Sequence, residues 1–334
     1  MTVLRAAVVG LGGIARIAHL PVLADRQDVA VVAVADPSAA ALARHPSIPG
    51  FADVHELLAA VDVDAALVLA PEQHHVEVVT ALLERRVPVL CEKPLAPSLP
   101  EARLLRDIAA ERHTSLMVGF NRRFAPVYMR AKAAMSEHPA AVGVFEKTRP
   151  ERGYRGSAEN LVHMVDLARF FFGECAEVTA RAVFDDPYWE DSLTALLEFE
   201  GGQLATVVGN RSTGVWTERV SLHGDGQSVT VVAPDQISVA TGGEERTHRQ
   251  TQAFSGFAAP TRTLGFAAQA DHFFAAVRAS AQITQNDASS AVRTQELMDR
   301  ILASAGLPTT DGRTSMMVGH RPAVPPNTPE GVVR

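Results

Sequence analysis

The chain has 334 residues, 47% of them hydrophobic, enough to bury a sizeable core and, at the usual length per domain, to make two domains rather than one. Asp and Glu (38) outnumber Lys and Arg (31), and the resulting net charge of −7 argues against nucleic acid or an anionic membrane surface as partner. Cys91 and Cys175 form no CxxC pattern, the N-terminus has no basic n-region, and no uncharged run approaches the length of a bilayer span; the expectation is a cytoplasmic protein with no disulfide framework, thiolate zinc site or other metal centre.

Through about residue 120, short apolar runs alternate with amphipathic stretches. Val3–Val9, Val29–Ala35, Ala65–Ala70, Val87–Cys91 and Ser115–Val118 read as strands whose near-continuous apolarity suits a parallel sheet covered on both faces. Asp53 and Ser98 each stand three residues before a glutamate that can reach back to them, which marks helix starts. Repeated strand-helix-strand units predict a doubly wound α/β domain over residues 1–120.

After Asn121 the pattern changes. Ala141–Thr148, Val178–Phe184, Leu193–Phe199, Gln203–Gly209, Arg219–Gly224 and Ser228–Val232 follow closely with little helix between them, as in a large, mostly antiparallel open sheet. Ala158–Phe172, Phe266–Ser280 and Ala288–Ala305 read as helices, so the second, α+β domain is expected over 121–305. Residues 306–334 hold five prolines and no sustained period, and read as a tail or strap.

Gly10-Leu11-Gly12-Gly13-Ile14-Ala15 follows the first strand directly and opens a helical stretch. In such a GxGxxA turn the first glycine permits the bend, the second lets backbone amides approach a pyrophosphate, and the small Ala15 lets helix and strand pack closely. The helix N-terminus then faces the phosphates, with Gly13 and Ile14 in its first turn. Asp36 ends the second strand, where a carboxylate accepts hydrogen bonds from an adenosine ribose and repels a 2′-phosphate. The pair predicts a Rossmann domain that binds NAD in preference to NADP. A turn or cap role for Asp36 beside Pro37 and Ser38 is the simpler alternative.

Glu92-Lys93-Pro94 ends the Val87–Cys91 strand at the carboxyl edge of the sheet, where open α/β folds bind ligands; Lys93 can aim an ammonium at a substrate oxygen there, or simply pair with Glu92. On the Ala158–Phe172 helix, Glu159, His163, Asp166 and Phe170 share one stripe opposite Leu161, Val165, Ala168 and Phe172. The helix would bury that apolar face and turn a carboxylate-imidazole-carboxylate row toward something polar; a solvated face or a metal site is the competing assignment.

Together these marks resemble the Gfo/Idh/MocA family, the glucose-fructose oxidoreductase and inositol dehydrogenase group. The resemblance covers roughly residues 3–305 and rests on the Gly10–Ala15 turn, Asp36, Ala70-Pro71 with His75, Glu92-Lys93-Pro94, Gly119-Phe120-Asn121-Arg122-Arg123-Phe124, and Glu159-Asn160-Leu161-Val162-His163 followed by Asp166. It implies hydride exchange between a nicotinamide and a sugar, polyol or related carbonyl compound, with Ala70, Pro71, His75, Glu92 and Lys93 joining the glycine turn around the cofactor. It also implies that Lys93 and His163 act at the reacting carbon, and that the second sheet forms a homodimer or homotetramer interface. The family usually has Asp where this chain has Glu159, which weakens that residue's transfer as a catalytic partner. Arg122, Lys147, Asn160 and Tyr154, with Arg149, Arg155, Trp189 and Arg211, are candidates for the substrate pocket. The same fold also admits imine or other carbonyl reduction, NAD-using glycoside cleavage, or a catalytically silent NAD-binding regulator.

Overall fold

In the computed structural model, which describes residues 2–150, 156, 158–184, 189–249 and 260–310, the first apolar runs become parallel strands. They are β1 (Leu4–Val9), β2 (Val29–Ala35), β3 (Gly50–Phe51), β4 (Ala65–Val68), β5 (Val89–Cys91) and β6 (Leu116–Val118), in the order β3-β2-β1-β4-β5-β6. The order reverses between β1 and β4, which makes their carboxyl ends the switch point where such sheets hold ligands. Interleaved helices cover the sheet: α1 (Leu20–Ala24), α2 (Ala39–Leu42), α3 (Val54–Ala60), α4 (His75–Glu84) and α5 (Leu99–Glu111). The expected helix starts are present with altered partners. Asp53 accepts the amides of His55 and Glu56, but Glu56 reaches back to the amide of Ala52 (3.1 Å). Ser98 accepts the Glu101 amide and donates its hydroxyl to the Glu101 carboxylate (2.6 Å).

The second sheet has eight strands: β7 (Val142–Thr148), β8 (Cys175–Phe184), β9 (Glu190–Phe199), β10 (Leu204–Asn210), β11 (Thr217–Gly224), β12 (Gln227–Val232), β13 (Gln236–Thr241) and β14 (Glu244–Arg249), in the order β14-β13-β12-β11-β7-β10-β9-β8. Every neighbouring pair is antiparallel except β7 and β10. One face buries Phe145, Leu193, Ala195, Leu197, Val207, Val220 and Leu222 beneath α6 (Pro126–Glu137) and α7 (Ala158–Phe172). At the β8 edge, Arg300 donates to the carbonyls of Cys175 and Ala176, and the Ser304 hydroxyl accepts the Ala180 amide, so side chains of a later helix occupy backbone groups that a ninth strand would otherwise pair.

The chain folds into two compact units, but not at a single cut. The first ends at Asn121 and is resumed by a segment ending at Arg293; the second begins at Arg122 and is resumed at Thr294. The sequence placed α8 (Pro260–Thr263) and α9 (Phe266–Ala279) in the second domain, whereas they belong to the first; only α10 (Ala288–Ser304) leads back to the second. The reason lies in hydrogen bonds that an amphipathic pattern does not encode. The Val118 amide donates to Asn286 O (2.8 Å), the Asn286 side chain to Phe120 O (2.8 Å), and the Asn121 side chain to Leu264 O (3.0 Å). Arg278 and Arg26 share Asp28, and Arg26 also pairs with Asp271. The Asn286 bonds lie along the open edge of β6 and the Asn121 bond just beyond it, while the Arg26, Arg278, Asp28 and Asp271 cluster ties α9 to the segment before β2.

Candidate active site

The glycine turn sits where β1 meets β4. Gly10 has φ +94°, and a Cβ there would stand 2.5 Å from the Ala70 amide nitrogen, so neither the bend nor the close approach tolerates a side chain. Around Gly12 and Gly13 a Cβ would meet nothing within 4 Å, leaving a cradle that side chains would fill. Asp36 lies beside it: one carboxylate oxygen accepts the Leu11 amide (2.8 Å) and the other the Ser38 amide (2.8 Å). The turn role and the ligand role are therefore compatible, because each oxygen keeps a second lone pair for a ribose hydroxyl. The residues fit a dinucleotide: an open glycine cradle at a helix start, with a carboxylate at the end of the neighbouring strand.

Behind the turn, a π-helical segment (Ala15–His19) leads into α1, and the Leu20 amide donates five residues back to Ala15 O. Pro21 follows, with no N–H and a ring that crowds the preceding turn, so the widened turn accommodates it. The result turns His19 inward, 2% exposed, with its Nε2 2.8 Å from Glu92 Oε1 and the edge of Phe266 against its ring. Glu92 Oε2 accepts the Lys93 amide (3.2 Å), and a Cβ at Gly119 would stand 3.0 Å from the same carboxylate, which explains the glycine after β6. Burial raises the Glu92 carboxyl, but the hydrogen bond and charge of His19, with Lys93, outweigh it and hold the group below its ordinary range.

His75 is 1% exposed, with Nδ1 2.9 Å from Pro94 O and Nε2 2.9 Å from Ala70 O. Expected at the cofactor, it lies between the backbones of the two motifs that flank the cradle, with a carbonyl at each ring nitrogen; as a neutral imidazole, with a single N–H, it donates to one of them and packs against the other. Burial pushes its pKa below the usual imidazole value, against the pull of those carbonyls. Glu92, likewise expected at the cofactor, spends its carboxylate on His19 and Lys93. Ala70 and the exposed Pro71 lie at the carboxyl end of β4, and Lys93 is half-buried at the carboxyl end of β5.

In the second unit, α7 is buried on nearly every side. Its first amide, Ala158 N, donates to Glu190 Oε1 (2.8 Å), a fully buried carboxylate at the start of β9 that caps the helix from another element. Glu159 is half-buried, and one turn on His163 is 9% exposed. Between them Asn160 is 4% exposed, its Oδ1 buried without a hydrogen-bond partner among the described residues. Asp166 leaves the expected polar row: Arg123 grips it with two nitrogens (2.8 and 2.6 Å), and the Thr294 hydroxyl donates to it (2.9 Å). It anchors the helix, while Phe170 lies under the cations of Arg123 and Lys132.

Two expected substrate residues are interior. Arg122 binds Glu218 through Nε (2.8 Å) and Nη2 (3.0 Å), Lys147 Nζ lies 2.7 Å from Glu218 Oε2, and the Tyr128 hydroxyl donates to Oε1 (2.9 Å). Arg122 and Lys147 therefore face a buried carboxylate and do not line an open pocket. Arg149 N–H donates to Asn210 O (3.0 Å), and Arg211 lies 3.7 Å from Asp191. Tyr154 and Arg155 lie outside the described residues. Among those residues no group of three or more His, Cys, Asp or Glu is placed to hold a metal, and no helix is long and apolar enough to cross a membrane.

The first unit thus has the construction of a dinucleotide-binding Rossmann domain. Residues 4–120 match the family described as "Oxidoreductase family, NAD-binding Rossmann fold", and residues 130–230 match the "GFO/IDH/MocA C-terminal domain". The chain belongs to the Gfo/Idh/MocA family. It is 26% identical over 332 residues to an inositol 2-dehydrogenase of Rhizobium meliloti (91% of this chain, 98% of the relative), and 30% identical over 238 residues to an inositol 2-dehydrogenase of Acidothermus cellulolyticus (66% and 69%). Its fold is similar to the crystal structure of a myo-inositol dehydrogenase from Corynebacterium glutamicum, with a TM-score of 0.77 at 24% identity, covering 91% of this chain and 97% of that one.

Proposed function

We propose that this enzyme is an NAD-dependent dehydrogenase acting on a secondary hydroxyl of a cyclitol, sugar or related polyol, or on the ketone in reverse. The observation that carries the reading is the alignment of three motifs on adjacent strand ends: the glycine cradle after β1, Ala70-Pro71 after β4 and Lys93 after β5. Neighbouring strands are about 5 Å apart, so the three occupy one short edge. The inositol 2-dehydrogenase names of the relatives support the substrate class.

A bound nicotinamide supplies the hydride acceptor or donor. Lys93 holds the substrate oxygen by a charge-assisted hydrogen bond and stabilises its alkoxide character. His163 takes the hydroxyl proton, or returns it in reduction, an imidazole being suited to that exchange near neutral pH. Glu159 and Asn160, on the same helical turn, orient neighbouring hydroxyls. Asp36 favours NAD, since its carboxylate repels a 2′-phosphate.

The test is to mix the protein with NAD or NADP and a panel of cyclitols, sugars and linear polyols, following reduced-nicotinamide absorbance, with affinities for both dinucleotides measured alongside. Reduction of NAD by at least one polyol, and tighter binding of NAD than NADP, is expected. No turnover on the panel, or a clear preference for NADP, overturns the corresponding half of the reading.

The outer face of the second sheet supports self-association. Val142, Val144, Val183, Leu196 and Leu204 are exposed there, and the strand register places them on one face. The same register sets Glu146, Arg181, Glu198 and Arg219 among them, and a face of exposed aliphatic side chains with charges of both signs is one that isologous pairing can bury with its charges matched. Light scattering after size exclusion is expected to give a dimer or tetramer; a monomer at micromolar concentration contradicts the proposal.

A further inference from the structure

Lys93 is flanked by two buried histidines that do not share a bond. His19 grips the side chain of the preceding residue, Glu92, whose other oxygen accepts the Lys93 amide. His75 is wedged between the carbonyl of the following residue, Pro94, and that of Ala70 at the end of the adjacent strand, 2.9 Å from each, and donates its N–H to one of them. One imidazole comes from the helix behind the glycine cradle and the other from the first residue of α4, so the lysine segment is held from two independent elements.

We propose that His19 and His75 are the positioning residues for Lys93: they fix the backbone on either side of it, and so set where its ammonium stands relative to the cradle. Loops at strand ends do not keep a side chain in place by themselves, and catalytic geometry is sensitive to displacements near 1 Å. Each contact is short, buried and made to a chain neighbour of Lys93, where a packing histidine would need none of these features. The catalytic consequence rests on the role of Lys93 proposed above; the positioning itself does not.

The sequence supplies a probe. The chain contains only three lysines, Lys93, Lys132 and Lys147; Lys147 is fully buried, and Lys132 lies in the other unit, its ammonium donating to the carbonyls of Phe170 and Phe171. Amine labelling by trinitrobenzenesulfonate, quantified by peptide mass spectrometry, therefore follows Lys93 with Lys132 as an internal control. In His19→Asn and in His75→Asn the labelling rate of Lys93 is expected to change by about fivefold, the factor one net hydrogen bond is worth, while that of Lys132 stays constant. His19→Gln and His75→Gln replace any variant that does not fold.

On the panel compound oxidised fastest by the unmodified enzyme, kcat is expected to fall on the order of tenfold in each variant with KM for NAD unchanged. In a Lys93→Met background neither histidine variant lowers kcat further, because the group they position is absent. Unchanged Lys93 labelling in both variants, or equal changes at Lys93 and Lys132, overturns the positioning role. Full turnover by Lys93→Met sinks the catalytic reading alone and leaves the labelling result standing.

Discussion

Lys93→Met is expected to reduce turnover on the true substrate by about a hundredfold or more, with affinity for reduced cofactor little changed. Methionine keeps the unbranched stem and removes the ammonium, so the change isolates the charge-assisted hydrogen bond to the substrate oxygen. A hundredfold loss is about 2.7 kcal/mol of transition-state stabilisation, within reach of one such bond in a site shielded from water. His163→Asn removes the titrating imidazole and is expected to cost a similar factor, again without loss of dinucleotide. Steady-state kinetics with fluorescence titration of the reduced cofactor checks both. Near-full turnover in either variant means that residue does not handle the reacting oxygen.

The largest expected effect on stability comes from Glu218→Gln. This fully buried carboxylate holds two nitrogens of Arg122, the ammonium of Lys147 and the hydroxyl of Tyr128. Removing its charge leaves two interior cations facing an amide, and breaking a buried pair in this way costs about 3–5 kcal/mol. The variant is expected to unfold at far lower denaturant concentration. Burial raises the Glu218 carboxyl, but the charges of Lys147 and Arg122 outweigh it and hold the group far below its ordinary value of 4.5. A depressed folded-state pKa adds stability above the unfolded value, and that stability is lost as pH falls. The unaltered protein should therefore weaken steadily below about pH 4.5, and the glutamine variant should lack this component. Chemical denaturation at several pH values tests it; equal stability at neutral pH would mean the cluster adds nothing.

Much of the first sheet was legible because strands buried on both faces must be apolar throughout, and β1, β2 and β4 to β6 all lie within the runs that show it. The two-residue β3 is too short to carry a pattern, and β14, Glu-Glu-Arg-Thr-His-Arg, is exposed along its whole length and alternates nothing. The glycine turn and Asp36 could be read because their spacing is local. His19, Glu190 and Glu218 could not, because each matters through a partner 73, 32 or 96 residues away in sequence. Arg122, Lys147 and Asp166 misled for the converse reason: a charge on a helix or strand looks available until the oppositely charged residue that claims it is known.

The return of the chain to close β6 bears on how the protein is made. A ribosome that has delivered Phe120 must add 166 residues before Asn286 arrives to take up its carbonyl, and the whole second sheet is synthesised in between. Emergence from the tunnel cannot complete the nucleotide half first: its last strand waits with an open edge while a second β-structure is being threaded out. Premature pairing at that edge is the hazard this topology has to outlast.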